Sequence, residues 1–314
     1  MTRLPASSTP LAGNRRHSGF VLVAVLWIMA ALAALASIYS VYTIRTASES
    51  HVLDDRVQAE ASIRSGLEMT AYRELAAPDK AKPSQGRFTL RLGRTSVAVW
   101  FHSEAARIDL NAAQADLLTG LFVAVGVDPA QARTFADRVV GWRTKPDAGG
   151  GSKEAALYAQ EAIAYPPRQA PFDNPLELTL LPGMPQSVVE RVLPFVTVFS
   201  GRPQVDALSA EPTVLAALPG MTPEILNQFL RARAKDPNNR DALLQLLGPA
   251  KTHALADNSA KVFRVGVQVD FDRGRTVRAE VVFGLKNGGD DPYDLLYWRD
   301  DFDDPTPLAW NFGR

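Results

Sequence analysis

The chain has no cysteine among its 314 residues. That excludes disulfides, thiolate metal sites and cysteine nucleophiles together. Histidine is nearly as scarce: His17, His51, His102 and His253 stand singly, without the paired spacing of a histidine metal site. An excess of one charge is also missing. Lys plus Arg and Asp plus Glu number 34 each, so the basic footprint of a nucleic-acid binder is absent. No nucleophile–base–acid set, phosphate-binding glycine loop or metal-ligand spacing can be read, so no enzymatic activity is expected. What is present is ordinary in bulk. At 46% hydrophobic and 22% charged, the chain reads as globular, with a length that suits roughly two folded units.

Two further absences meet near the amino terminus. No charged residue occurs from Ser18 to Ile44, and no proline between Leu11 and Ala77. The apolar run Phe20–Ile44 is 25 residues long, enough for a helix to cross a ~30 Å hydrocarbon layer. It exceeds the 7–15 residues of a signal-peptide core, so a membrane anchor is expected. A polar stem over residues 45–77 continues the helix, with Leu53, Val57, Ile63, Leu67 and Leu75 as its apolar side. Arg3, Arg15 and Arg16 precede the span, whereas Glu49, Asp54 and Asp55 follow it. Positive charge stays cytoplasmic, which puts the carboxyl-terminal part outside.

Beyond two prolines in Pro78–Pro83, the pattern changes to alternation. Phe88, Leu90 and Leu92, a Gly93-Arg94 turn, then Val97, Val99 and Phe101 predict a β-hairpin. A second hairpin is predicted from Val262–Asp272 and Thr276–Leu285, with Asp294–Trp298 as an added edge strand. Antiparallel sheet is thus expected over residues 86–108 and 260–300. The stretch between, residues 109–258, reads as a helical insertion, and residues 301–314 as an acidic tail. Three turns in the insertion resemble one another: Gly126-Val127-Asp128-Pro129, Gly183-Met184-Pro185 and Gly220-Met221-Thr222-Pro223. In each, glycine ends one helix and proline opens the next. They are similar to helix-hairpin-helix elements, many of which bind DNA, and a membrane-anchored DNA-binding protein is the alternative reading. DNA-binding versions keep a second glycine two residues on, where backbone amides approach a phosphate. Here Asp128, Pro185 and Thr222 stand at those positions, so nucleic acid is not an expected partner.

The junction Arg15-Arg16-His17-Ser18-Gly19-Phe20 resembles a type IV prepilin or pseudopilin leader. The resemblance implies a leader over residues 1–19, cleavage between Gly19 and Phe20 by a prepilin peptidase, and N-methylation of Phe20. Most members carry glutamate at the fifth mature position, matched to the amine of a neighbouring subunit, and here that position is Ala24. A buried carboxylate without a partner is costly, so an apolar residue suits a subunit with no neighbour above it.

The order of parts, a pilin-like helix lacking the acid, a hairpin, a helical insertion and the rest of the sheet, resembles the minor pseudopilin K family of type II secretion systems. The family's lead into its helical domain is similar to Glu104–Asn111 (EAARIDLN). Trp142-Arg143, Glu154 with Tyr158, and Pro171-Phe172 through Glu177-Leu178 to Pro182-Gly183-Met184 fit its later blocks. The resemblance implies an α+β pseudopilin fold: a long N-terminal transmembrane helix (20–44) plus antiparallel sheet, carrying a large all-α insertion of helix-hairpin-helix or SAM-like repeats. It implies a non-enzymatic tip subunit that initiates or caps the pseudopilus, anchored in the bacterial inner membrane with its carboxyl-terminal domain in the periplasm. The implied partners are minor pseudopilins I and J through the N-terminal helix, the major pseudopilin and the prepilin peptidase. Members can bind calcium, for which Asp147 and Glu154 are the candidate ligands, although two carboxylates fall short of the 6–8 oxygens the ion takes.

Overall fold

The computed structural model describes residues 18–78, 82–146, 153–161, 163–256, 261–272, 274–286 and 291–301. It divides into a unit through Gln58 and a second unit from Ala59 onward. A single helix, α1 (Ser18–Ala76), contributes to both. In the first unit it comprises the apolar run and the polar residues 45–58. In the second unit its residues Ala59, Ile63, Leu67 and Ala71 are buried at four-residue spacing, one face of a helix. The expected stripe is corrected here. Ile63 and Leu67 belong to the buried face, but Val57 and Leu75 are exposed, and the side chain of Leu53 lies outside the described residues. Small residues, Ala59, Gly66 and Ala71, share the interface with Ile63 and Leu67, and at Gly66 the helix comes close to the sheet: a Cβ there would stand 2.9 Å from Val99 Cγ2.

The sheet has five antiparallel strands: β1 (Gln85–Leu92), β2 (Thr95–Ser103), β7 (Val262–Asp270), β8 (Thr276–Leu285) and β9 (Tyr293–Asp300), in that spatial order. Leu92 pairs with Thr95, leaving Gly93-Arg94 as a two-residue turn in which Gly93 takes φ 59°. Strand β7 stops at Asp270, two residues short of the expected Asp272, because Gly274 N–H donates to Phe271 O and bends the chain. A bulge opposite Val282 and Phe283 leaves Leu295 and Leu296 both exposed on β9. Toward α1 the sheet presents Val97, Val99, Val265, Val267, Val281 and Phe283, all at most 1% exposed. Each such side chain contributes about 1.5–3 kcal/mol on burial.

Strands β2 and β7 are neighbours in the sheet, yet the whole insertion lies between them in sequence. Its helices are α2 (Ala115–Ala124), α3 (Pro129–Arg143), α4 (Lys153–Gln160), α5 (Gln186–Val192), α6 (Pro212–Ala216), α7 (Pro223–Lys235) and α8 (Arg240–Leu246). Gly126, Gly183 and Gly220 all take positive φ, 86°, 68° and 82°, the left-handed geometry that ends a helix. Pro129 and Pro223 open α3 and α7, whereas Pro185 is one place earlier, at the cap of α5. Helices α2 and α6 touch at Gly120, where a Cβ would stand 2.0 Å from Ala217 O.

The insertion is also duplicated, in a way the three turns alone do not disclose. Parallel two-residue strands close each copy: β3 (Ile108–Asp109) with β4 (Val196–Thr197), and β5 (Val205–Asp206) with β6 (Ala254–Leu255). Leu110 N–H donates to Thr197 O at 2.8 Å, and Ala207 N–H donates to Leu255 O at the same distance. Asp109 Oδ1 accepts from Asn111 N–H, just as Asp206 Oδ1 accepts from Leu208 N–H. Arg143 donates to the carbonyls of Leu110 and Ala113, and Arg233 to those of Ala207 and Ala210. In the second copy α6 has five residues against ten in α2. Arg233 accordingly lies one helical turn nearer its opening proline than Arg143 does, so that each guanidinium still reaches its own loop.

Candidate functional site

The residues singled out in the sequence fall mainly in two places, and the structure adds a third. The first is the apolar helix. Phe20–Tyr42 is 23 residues without a charge, and its most apolar stretch is wholly unburied. At ~1.5 Å per residue it spans about 34 Å, a membrane thickness. Phe20 is 78% exposed, and Ala24 is the one half-buried side chain of the span. Gly19 lies in the helix backbone, while residues 1–17 are outside the described residues.

The second place is the first copy of the insertion, where the resemblance motifs converge on one another. Asn111 holds the backbone of Phe172 from both sides: its Nδ2 donates to Phe172 O at 2.9 Å and its Oδ1 accepts from Phe172 N–H at 2.7 Å. Trp142 lies 6.1 Å from the Phe172 ring and 6.2 Å from Tyr158, and its Nε1–H donates to Glu177 Oε2 at 3.0 Å. Asp109 accepts from Ser200 Oγ–H and Gly201 N–H, and burial raises its pKa against these bonds. Glu177 completes a capping box with Asn174. Every polar group here is spent on holding chain to chain, so these residues form a structural keystone.

Glu154 is nine-tenths buried beside this cluster. Its Oε2 stands 3.4 Å from Arg138 Nη1, and it fills the space a side chain on Gly141 would need. Burial raises its pKa, with Arg138 opposing. Asp147, the other candidate calcium ligand, lies outside the described residues. Among the described residues no group of three or more acidic or histidine side chains could hold a metal ion. A single carboxylate shared with an arginine does not fit calcium, which takes 6–8 oxygens. The hairpin turns are equally committed. Asp128 accepts from Ala130 and Gln131 N–H, and Thr222 from Ile225 N–H. Side chains thus cap amides that a phosphate would otherwise use.

The third place was not foreseen. A cleft of about 1390 Å³ lies between the insertion and the face of the sheet turned away from α1. Gln85, Arg87, Trp100, Gln268 and Arg278 line the sheet side; Phe195, Leu208, Pro212, Arg233 and Pro237 line the other. Arg107 and His102 lie where the two walls meet. His102 is held neutral, its pKa lowered to about 3 by burial first and then by Arg107. Beneath the junction, buried Glu104 takes two bonds from Arg264, Nε to Oε1 at 2.7 Å and Nη2 to Oε2 at 3.2 Å, and one from the Thr197 hydroxyl. Arg264 also pairs with Glu280. This network ties the insertion to strands β7 and β8. Sequence spacing offered no sign of it, since Glu104 and Arg264 are 160 positions apart.

Residues 98–201 match the family described as type II secretion system, protein K. No curated protein sequence matches the chain. Among solved structures, the fold is similar to a chain in the crystal structure of the GspK–GspI–GspJ complex from the enterotoxigenic Escherichia coli type 2 secretion system. The TM-score is 0.54 at 16% identity, covering 78% of this chain and 99% of the other. The family match includes the end of β2, the Glu104 turn and the whole keystone cluster.

Proposed function

We propose that this chain, a type II secretion minor pseudopilin K by its family match and fold, stands at the tip of the pseudopilus and initiates or caps its assembly. The observation that carries the reading is an exposed apolar helix with Ala24 in place of a carboxylate, followed by a sheet from which a bulky insertion projects. An acid at that depth needs a partner, and a tip subunit has none above it. The insertion, here read as helix-hairpin-helix or SAM-like repeats used for protein contacts, is too large to sit beneath another subunit.

Processing follows the same reading. A prepilin peptidase removes residues 1–19, and Phe20 becomes the methylated amino terminus. The loss of Arg3, Arg15 and Arg16 leaves 31 basic and 34 acidic residues, a net charge of −3. The helix holds the protein in the inner membrane, its carboxyl-terminal domain in the periplasm, until it packs against minor pseudopilins I and J and, below them, the major pseudopilin. The test is the mature amino terminus, read by mass spectrometry from membranes, together with co-purification of I and J. A chain beginning anywhere but Phe20, or one that never co-purifies with I and J, refutes the proposal. Ala24→Glu should still assemble, since the permissive site can carry a protonated acid.

A further inference from the structure

We propose that edge strand β1, at the rim of the cleft, is a docking site for an extended acidic segment of a partner protein, added to the sheet as a sixth strand. The proposal does not depend on where the chain works in the cell.

Among the described residues, strand β1 is paired only on its β2 side, along its full eight residues. An unpaired edge is a template for another strand, and main-chain bonds supply affinity while alternate side chains supply selectivity. The alternation of β1 defines what would fit. Arg87, Thr89 and Arg91 lie on the sheet face over which the cleft opens, since Arg87 is opposite Trp100 and Arg91 opposite Ser96, and Arg87 lines the cleft itself. Phe88 and Leu90 face the other way, half-buried on the α1 side. A strand laid beside β1 therefore meets two guanidiniums, four residues apart, on one side and apolar surface on the other. Its complement is acid–apolar–any–apolar–acid, with side chains of opposite strands ~5 Å apart.

Charge in the cleft favours the same occupant. Its lining carries Arg87, Arg107, Arg233 and Arg278 against Glu211, with His102 neutral. Neither Arg87 nor Arg91 has a salt-bridge partner among the described residues. The opposite wall is largely apolar, with Phe195, Leu208 and Pro212.

The test uses the full chain in detergent micelles and a fluorescein-labelled peptide, Thr-Glu-Val-Thr-Val-Glu-Thr, with a twin in which lysine replaces glutamate. Anisotropy should report saturable binding of the glutamate peptide, weakening as salt rises, and none of the lysine twin. Arg87→Glu and Arg91→Glu should each weaken binding about tenfold, while Arg191→Glu on α5, outside the cleft, should not. Amide exchange over Gln85–Leu92 should slow when the peptide is bound. The proposal is overturned if the lysine twin binds as well, if the two charge reversals are silent, or if exchange in β1 is unchanged. It is equally overturned if an oligonucleotide displaces the peptide, or if binding appears only after truncation at Asp301, which would make the chain's own carboxyl-terminal segment the occupant.

Discussion

Replacing Glu104 by glutamine removes one charge from the network between the insertion and the sheet while keeping its shape. Glu104 is fully buried and its carboxyl titrates at about 2 instead of 4.5: burial works to raise it, but Arg264 and Arg107 overcome that. A carboxyl held that far below its ordinary value contributes about 3 kcal/mol, at ~1.4 kcal/mol per tenfold in proton affinity. Breaking a buried pair from one side costs about 3–5 kcal/mol, because the remaining charge is stranded. Arg264 keeps Glu280 as a second partner, so the lower end of that range, about 3 kcal/mol, is expected for Glu104→Gln. At this domain size it corresponds to a fall of roughly 6–12 °C in Tm. The assay is thermal and urea unfolding of the full chain in micelles, followed by tryptophan fluorescence. The pH profile distinguishes charge from packing. A depressed carboxyl stabilises the fold above its unfolded value and loses that contribution as pH falls. The wild type should therefore weaken between pH 4.5 and about 2 by an amount the variant does not share. Adding Arg264→Met and Glu280→Gln to Glu104→Gln should recover stability, since no charge of the triad is then left stranded. A variant within 0.5 kcal/mol of wild type, by the ordinary scatter of surface changes, or a triple variant whose losses simply add, would refute this account.

Other outcomes are expected elsewhere. Glu74 is buried with neither oxygen hydrogen-bonded among the described residues, and burial raises its pKa to about 7 against the pull of Lys82. A raised carboxyl loses stability for the fold as pH climbs from 4.5 to 7, so Glu74→Gln should increase Tm at pH 8 and change it little at pH 4.5. Gly120→Ala would drive a Cβ into Ala217 O and should cost more than the 1–3 kcal/mol of ordinary overpacking, measured by urea unfolding. Arg143→Met and Arg233→Met each free two loop carbonyls and should each cost about 1–3 kcal/mol. Near-equal losses would support the duplication, and a loss in one copy only would count against it.

Much of the fold was legible because local rules decide it. Proline-free, charge-free sequence fixes α1, alternation fixes the hairpins, and Gly126, Gly183 and Gly220 mark helix ends through a backbone angle only glycine adopts cheaply. The motif residues Asn111, Trp142, Arg143 and Phe172 were visible as a group, but their work was not, since hydrogen bonds across 61 positions leave no periodic trace. The duplication hid for a related reason: shortening α6 and α7 moved Arg233 by a turn and erased the alignment with Arg143. The cleft was illegible altogether. Its walls come from residues 85 to 278, and only the pairing of β2 with β7 brings them together.

That pairing has a consequence for how such a chain could have arisen. Ser103 lies opposite Phe263 in the ladder, so the two ends of the insertion are as close as the ends of a hairpin loop. A turn of two to five residues could join them and leave every rung of the sheet in place. The head is therefore a replaceable part, exchangeable in one recombination event without disturbing the body that carries it. Arg264 would keep Glu280 but lose Glu104, and Tyr297 would lose the Phe199 ring.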